Sequence, residues 1–184
     1  SPLVVQVMWD KLTQMGFSSG RVLEPGCGIG NFLGLCPSSA NLKAMGIEKD
    51  ILTGQLAKYI YPKFEIINKA MEDVPFEKDM FSAVIGNVPF ADIAIYDKEA
   101  KRYFGKAIRP NLHDFIILKS LYALQDGGVS ALITSAGTMD KGNNQVRQMM
   151  AEKADFIGAV RLPSNAFEGN AGTSVVTDII FMQK

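Results

Sequence analysis

A short stretch in the middle of the chain, GNVPF at residues 86–90, combines groups that suit the binding of a flat, amine-bearing molecule. The side-chain oxygen of Asn87 can accept one hydrogen bond, and the backbone carbonyl of Val88 can accept a second. Pro89 stiffens the turn by fixing φ, and the ring of Phe90 gives a face on which a base can stack. The same residue types are common in ordinary turns, so the stretch alone leaves both interpretations open.

A second stretch, PGCGIGN at residues 25–31, places three glycines after a predicted strand and before a predicted helix. Such glycines let the backbone turn tightly and approach a ligand, while the helix N-terminus offers free N–H groups. Asn31 stands where the dinucleotide fingerprint needs a glycine, which disfavours NAD. Glu48 ends the next predicted strand, where such folds keep an acid for ribose hydroxyls. Each feature alone also suits a turn or a solvated strand end, but together they predict a nucleoside cofactor.

The elements that must position these residues alternate between strand and helix, which is typical of a parallel sheet with right-handed crossovers. We expect strands at residues 21–25, 42–50, 64–67, 81–86, 129–135, 156–162 and 174–184. We expect helices at residues 1–15, 51–61, 112–125 and 144–153, with Asn111 and Asp114 as the cap of the third, and only a short helix between the first two strands. The last two strands have no helix between them and predict an antiparallel hairpin at one sheet edge. The predicted fold is α/β and Rossmann-like, with about seven strands.

Composition narrows the classes of protein to which the chain can belong. Its 184 residues, 47% of them apolar, fit one domain of ordinary size, and 19 basic residues balance 19 acidic ones. The balance predicts weak DNA binding by this chain alone. Two cysteines without a His cluster argue against a metal site or a disulfide scaffold. We expect a cytoplasmic chain without a membrane span, and the start at Ser1 indicates a fragment of a longer protein.

The glycine loop, Glu48 and the GNVPF stretch together resemble the N6-adenine-specific DNA methyltransferases, over nearly the whole chain. SPLVV at residues 1–5 resembles the family's Thr-Pro segment, which closes over the carboxylate end of S-adenosylmethionine, and its position suits the gamma order of motifs. The NVPF variant, LHDF at residues 112–115 and AGTSVVTDIIF at residues 171–181 resemble methylase domains found beside helicases in phage and mobile-element proteins. The resemblance therefore implies restriction-modification chemistry within a longer chain, with a helicase as one candidate for the flanking domains.

The resemblance also implies a role for individual residues. On the cofactor side it assigns Ser1, Pro2, Glu24, Gly26, Cys27, Gly28, Asn31, Glu48, Met71, Glu72 and Asn87. Glu24 and the loop would line the methionine side, Glu48 would hold the ribose, and Met71 and Glu72 would grip the adenine ring. Many relatives have Asp where this chain has Ala70. The catalytic residues implied are Asn87, Val88, Pro89 and Phe90.

By this resemblance, the reaction is methyl transfer to the N6 amine of an adenine in DNA. The target base must be flipped out of the duplex or already single-stranded. One alternative is a protein glutamine N5-methyltransferase, because a side-chain amide nitrogen poses the same chemical problem; Val88 argues mildly against it. Another is a cofactor-binding domain without turnover, which the departures at Ala70 and Val88 favour.

Four other features of the sequence bear on function. The segment at residues 96–110 is rich in basic and aromatic residues, and suits either a nucleic-acid strand or a solvated surface loop. His113 is the only histidine, and we expect a structural role for it at a helix start. Asp178 is expected to be a hairpin or edge residue, and Cys27 a packing residue in the loop.

Overall fold

The computed structural model describes residues 1–38, 41–91, 93–105, 109–164 and 176–184. Its centre is a seven-stranded sheet whose strands are β1 Gly20–Pro25, β2 Leu42–Glu48, β3 Glu65–Asn68, β4 Phe81–Asn87, β5 Leu124–Ser135, β6 Asp155–Leu162 and β7 Thr177–Gln183. Their spatial order is β3-β2-β1-β4-β5-β7-β6. β7 pairs antiparallel with both β5 and β6, whereas the other pairings in the sheet are parallel. The predicted α/β fold with a C-terminal hairpin is confirmed.

Helices cover both faces of this sheet. They are α1 Pro2–Gln14, α2 Ile51–Ile60, α3 Ala100–Phe104, α4 Leu112–Ala123, α5 Gly137–Asp140 and α6 Gln145–Ala151, with single 3-10 turns at Leu33–Leu35 and Met71–Asp73. On one face, α1 packs Met8, Trp9 and Leu12 against β4 and β5. On the other face, α4 and α6 pack against the same strands. Because apolar residues of β4 alternate between the two clusters, this strand lies in the middle of the core.

The helix ends follow their sequence signals closely. Pro2 begins α1, although the Ser1 side chain makes no capping hydrogen bond. The side chain of Asn111 accepts a hydrogen bond from the backbone N–H of Asp114 and caps α4, as predicted. The Asp50 side chain likewise accepts from the N–H of Thr53 at the start of α2. These caps fix where each crossover helix leaves the sheet.

Two expectations about strands were wrong. Residues 126–128, DGG, were expected to separate helix from strand, but they lie inside β5, where Gly127 has φ +75° and the register with β4 shifts. This is a bulge, which glycine permits because the left-handed region costs it little. Asp178 was expected to be a hairpin or edge residue: it lies in the antiparallel β6–β7 pair, as expected, but the edge alternative was wrong, because β7 lies between β5 and β6 and Asp178 is buried there beside Arg161. The loop at residues 165–175, which includes part of the AGTSVVTDIIF stretch, lies outside the described residues.

Neither a membrane span nor a metal cluster is found in the described part of the chain. None of its helices is both long and apolar enough to cross a bilayer. No group of three or more His, Cys, Asp or Glu side chains within the described ranges is arranged to hold a metal ion. Cys27 and Cys36 are free thiols.

Candidate active site

The residues singled out from the sequence lie at one edge of the sheet. β1, β2 and β4 are parallel neighbours, with β1 between the other two. Pro25, Glu48 and Asn87 are the last residues of these strands, so the parallel pairing brings them to the same edge. In doubly wound sheets, ligands bind at the carboxyl ends of the strands.

The glycine loop after β1 adopts a conformation that requires glycine. Gly26 and Gly28 have φ angles of +64° and +54°, which residues with a side chain rarely adopt. A Cβ on Gly28 would meet no atom within 4 Å, so the loop faces open space at that position. The Cys27 side chain turns the other way, because a Cβ added to Gly46 would lie 2.7 Å from its Sγ. Cys27 therefore packs the loop onto β2, and its burial raises the pKa of the thiol to about 12.

Glu24, in β1, supports the chain that follows the loop. Its side chain is 2% exposed, and its Oε2 accepts a hydrogen bond of 3.0 Å from the backbone N–H of Leu33. Burial raises the pKa of this carboxyl to about 8, although the backbone N–H groups of Leu33 and Phe32 partly oppose the shift. Glu24 is therefore a buried residue that stabilises the backbone after the loop through a hydrogen bond.

Glu48, at the end of β2, holds the loop with both of its oxygens. The backbone N–H of Gly28 donates to Oε2, and that of Asp50 donates to Oε1, each at 2.8 Å. Each carboxylate oxygen can accept more than one hydrogen bond, so both retain capacity for further donors. The side chain is half-buried at the rim, beside a depression of about 550 Å³ lined by residues 48–52.

A cavity of about 470 Å³ opens between the glycine loop and the end of β4. Ser1 and Pro2, at the start of α1, and Asn31, after the loop, line it together with Asn87. Trp9 holds α1 in place, because its indole N–H donates to the carbonyl of Phe32 at 2.9 Å. The open space at Gly28, the free capacity of Glu48 and this cavity lie at the carboxyl ends of neighbouring strands, and these features fit a nucleoside cofactor with a polar tail.

The residues after β3, expected on the adenine side, differ in exposure. Met71 is buried, with its side chain in the core, whereas Glu72 is half-buried. The carbonyl of Met71 accepts a hydrogen bond of 2.8 Å from the ammonium of Lys119. The assignment of Met71 and Glu72 to adenine binding stays a prediction.

Lys119 links this loop to the segment that follows β4. The side chain is 0% exposed, and its ammonium also bonds Asp97 at 2.8 Å. It lies 4.6 Å from the centre of the Tyr103 ring and 5.2 Å from that of Phe115. A buried charge is tolerated only when it is paired and hydrogen-bonded. The ammonium of Lys119 is paired with the carboxylate of Asp97 and hydrogen-bonded to the carbonyl of Met71. The sequence analysis missed Lys119, although a lysine within the apolar run FIILKSL was a usable signal.

The GNVPF turn after β4 is held by uncharged groups. The N–H of Val88, which is fully buried, donates to the carbonyl of Ile133 on β5 at 3.0 Å. The His113 ring lies with Nδ1 3.4 Å from the carbonyl of Pro89 and Nε2 2.8 Å from the hydroxyl of Thr138. Burial lowers the pKa of His113 below its ordinary value, which favours the neutral ring.

Phe90, the last residue of the turn, keeps an accessible face. It is 45% exposed, and its ring centre lies 5.6 Å from that of His113. One side of the ring is therefore supported by protein, and the remainder is available to a flat ligand. His113 sits at the start of α4, as expected, but its contacts with Pro89 and Phe90 also connect it to the turn.

Comparisons with known proteins agree with this geometry. Residues 4–184 match the family described as N-6 DNA methylase. The chain is 28% identical, over 98% of its length, to the Defense against restriction protein B of Escherichia phage P1, and it spans only 8% of that much longer protein.

Two solved structures illustrate the likeness of fold. A Listeria monocytogenes protein described as a class I S-adenosylmethionine-dependent methyltransferase superposes with a TM-score of 0.80 at 17% identity, covering 100% of this chain and 58% of that one. A Vibrio vulnificus protein described as a type I restriction enzyme modification subunit gives 0.76 at 18% identity, with 100% and 43% covered. The expected methyltransferase fold is confirmed, and the chain belongs to the N-6 DNA methylase family.

Proposed function

We propose that the chain transfers a methyl group from S-adenosylmethionine to the exocyclic N6 amine of an adenine in DNA. The observation that carries the proposal is that Asn87 and Asn31 line the same cavity. The acceptor side chain of the turn and the end of the glycine loop thus face one space. Family membership over residues 4–184 supports methyl transfer as the reaction class.

The cofactor would be held by the loop and by Glu48. When bound, S-adenosylmethionine supplies an electrophilic methyl group. The carboxylate of Glu48 has capacity to accept hydrogen bonds from ribose hydroxyls while it keeps its bonds to Gly28 and Asp50. Ser1, Pro2 and Asn31 would enclose the amino-acid end.

The catalytic turn would activate the amine through geometry. The lone pair of an adenine amine is delocalised into the ring, so the nitrogen is a poor nucleophile. Two acceptors, the side-chain oxygen of Asn87 and the carbonyl of Val88, draw its two N–H groups away from the plane and free the lone pair. Fixed positioning of this kind contributes most of the catalysis. Neither acceptor is a base at neutral pH, so the surplus proton would leave to water.

The target adenine would stack on Phe90, which offers an exposed aromatic face beside the acceptors. Stacking of a base on an aromatic side chain contributes about 1 to 3 kcal/mol. Since the turn lies at the edge of the sheet beside the cavity, a base within a duplex cannot reach it and has to be flipped or single-stranded. We also propose that this catalytic domain works within a longer chain whose other domains, including a helicase, select the DNA.

Calorimetric titration with S-adenosylmethionine tests the cofactor half of the proposal. Glu48→Ala is expected to weaken binding by about 1.5 to 3 kcal/mol, the scale of a charge-assisted hydrogen bond. Glu152→Ala, which removes an exposed acid far from the site, serves as the matched control. Equal binding by the wild type and Glu48→Ala would contradict the assignment of Glu48.

Transfer of a labelled methyl group to adenine-containing oligonucleotides tests the chemistry. Asn87→Ala should abolish transfer without loss of cofactor binding, because it removes one of two acceptors. Asn41→Ala, an exposed amide before β2, should behave as the wild type does. Label in protein release factors in place of DNA would identify a glutamine methyltransferase, and cofactor binding without any transfer would identify a domain without turnover.

A further inference from the structure

The segment after the catalytic turn is paired with the segment that enters α4. The N–H of Ile95 donates to the carbonyl of Pro110 at 2.9 Å, and the N–H of Leu112 donates to that of Ile93 at 2.8 Å. Ala94 and Asn111 form the antiparallel bridge between these two bonds. The two segments therefore lie side by side although the chain between them is long.

This pairing places Tyr96 and Arg109 together at the surface. The guanidinium carbon of Arg109 lies 5.5 Å from the centre of the Tyr96 ring, within range for a cation–π interaction. Tyr96 is 66% exposed, and the neighbouring Ile93 is 61% exposed. An aromatic ring and an apolar side chain are thus presented to solvent beside a cation.

Arg109 differs from the other arginines in having no polar partner within the described residues. Arg21, Arg102 and Arg161 lie within salt-bridge distance of one or two carboxylates each. Arg147 donates to the backbone carbonyls of Thr138 and Lys141. Within the described ranges, the guanidinium donors of Arg109 are therefore not engaged by a carboxylate or a carbonyl, and they can bind a ligand.

A series of contacts connects this pair to the catalytic turn. Ile93 is hydrogen-bonded to Leu112, the next residue is His113, and the His113 ring packs against Phe90. The paired segments that carry Tyr96 and Arg109 are thus joined to the helix start that supports Phe90. A planar cation with an aromatic ring beside it suits a phosphate and the base or sugar attached to it.

We propose that Tyr96 and Arg109 bind the nucleotide adjacent to the target base, with Arg109 on its phosphate and Tyr96 against its base or sugar. The inference rests on the proposed function and adds to it a contact with the DNA strand outside the catalytic turn. A flipped or single-stranded target exposes its flanking phosphate and base, so such a contact would hold the strand while the target occupies the cavity.

Binding of a fluorescently labelled, adenine-containing single-stranded oligonucleotide, followed by anisotropy over a range of salt concentrations, tests the inference without turnover. Arg109→Gln should weaken binding about tenfold, as expected for loss of one charge-assisted contact, and reduce the magnitude of the salt slope by about 1. Tyr96→Ala should also weaken binding, and Tyr96→Phe, which keeps the ring, should restore it. Lys63→Gln removes an exposed positive charge before β3, near the opposite edge of the sheet, and is the matched control.

The outcomes separate this inference from the proposed function. Absence of methyl transfer together with weakened binding by Arg109→Gln would overturn the function and leave the binding surface supported. If the wild type transfers methyl groups to DNA but Arg109→Gln and Lys63→Gln bind the oligonucleotide equally well, the proposed binding surface would be wrong and the proposed function would still hold. No detectable binding of the wild type to the oligonucleotide at low salt would also overturn the surface.

Discussion

The two halves of the site are built by different means. At the glycine loop, acidic side chains hold the backbone: Glu24 accepts from Leu33, and Glu48 accepts from Gly28 and Asp50. At the turn after β4, a backbone hydrogen bond from the N–H of Val88 to β5 and the ring of His113 hold the chain instead.

Because Glu24 and His113 titrate differently on burial, their contributions to stability should change with pH in opposite directions. Burial raises the pKa of Glu24 from 4.5 to about 8, so folding favours its protonated form. Burial lowers the pKa of His113 from 6.5, so folding favours its neutral form. Through Glu24, rising pH therefore lowers the free energy of unfolding between pH 4.5 and about 8. Through His113, falling pH lowers it below pH 6.5.

Lys119 joins the Met71 segment after β3 to the segment that follows the GNVPF turn, and its removal should have the largest effect. Lys119→Met leaves the buried carboxylate of Asp97 without its cation and should lower the free energy of unfolding by about 3 to 5 kcal/mol. Denaturant unfolding measures this, with Lys58→Met on the exposed face of α2 as the control.

The double variant Lys119→Met/Asp97→Asn tests whether the loss of stability comes from the unpaired carboxylate of Asp97. It should recover part of the loss, because the buried charge is removed along with its partner. A loss below about 1 kcal/mol in unfolding free energy for Lys119→Met alone would show that the stability of the fold does not depend on this ion pair.

The second largest effect concerns Glu24. In the wild type, the unfolded state has lost the carboxyl proton above pH 4.5, but the folded state keeps it up to about 8. The free energy of unfolding should therefore fall by up to about 1.4 kcal/mol per pH unit in that window. Glu24→Gln keeps a neutral side chain and should lack this component of the slope. Urea unfolding between pH 4.5 and about 8 measures the free energy of unfolding of both proteins. Equal pH slopes for the wild type and Glu24→Gln would contradict the raised pKa of Glu24.

The smallest effect should come from His113→Gln. Glutamine can keep a hydrogen bond to Thr138, but the contact of the ring with Phe90 is lost. We expect a loss of about 1 kcal/mol in unfolding free energy at neutral pH. The variant should also lack the decline of stability that the wild type shows below pH 6.5, where its unfolded state takes up a proton first. If the unfolding free energies of the wild type and the variant fell equally in acid, the conclusion that His113 is buried in its neutral form would be wrong.

Much of the fold was predictable because its signals are local. The strands before the glycine loop and before GNVPF were placed correctly, and Asn111 caps α4 as predicted. The bulge at residues 126–128 and the interior position of β7 were not, because turn residues and apolar runs do not specify which strands pair.

Local sequence was enough to predict the residue types at the site: glycines where φ is positive, an acid ending β2 and an uncharged amide ending β4. These depend on neighbouring residues in the chain, whose backbone preferences act at short range. Only the tertiary structure decided that Glu24 is buried and that Lys119 joins Met71 to Asp97. The reason is physical: burial and ion pairing depend on which elements pack together, and residues distant in sequence meet only when the sheet and its helices have assembled.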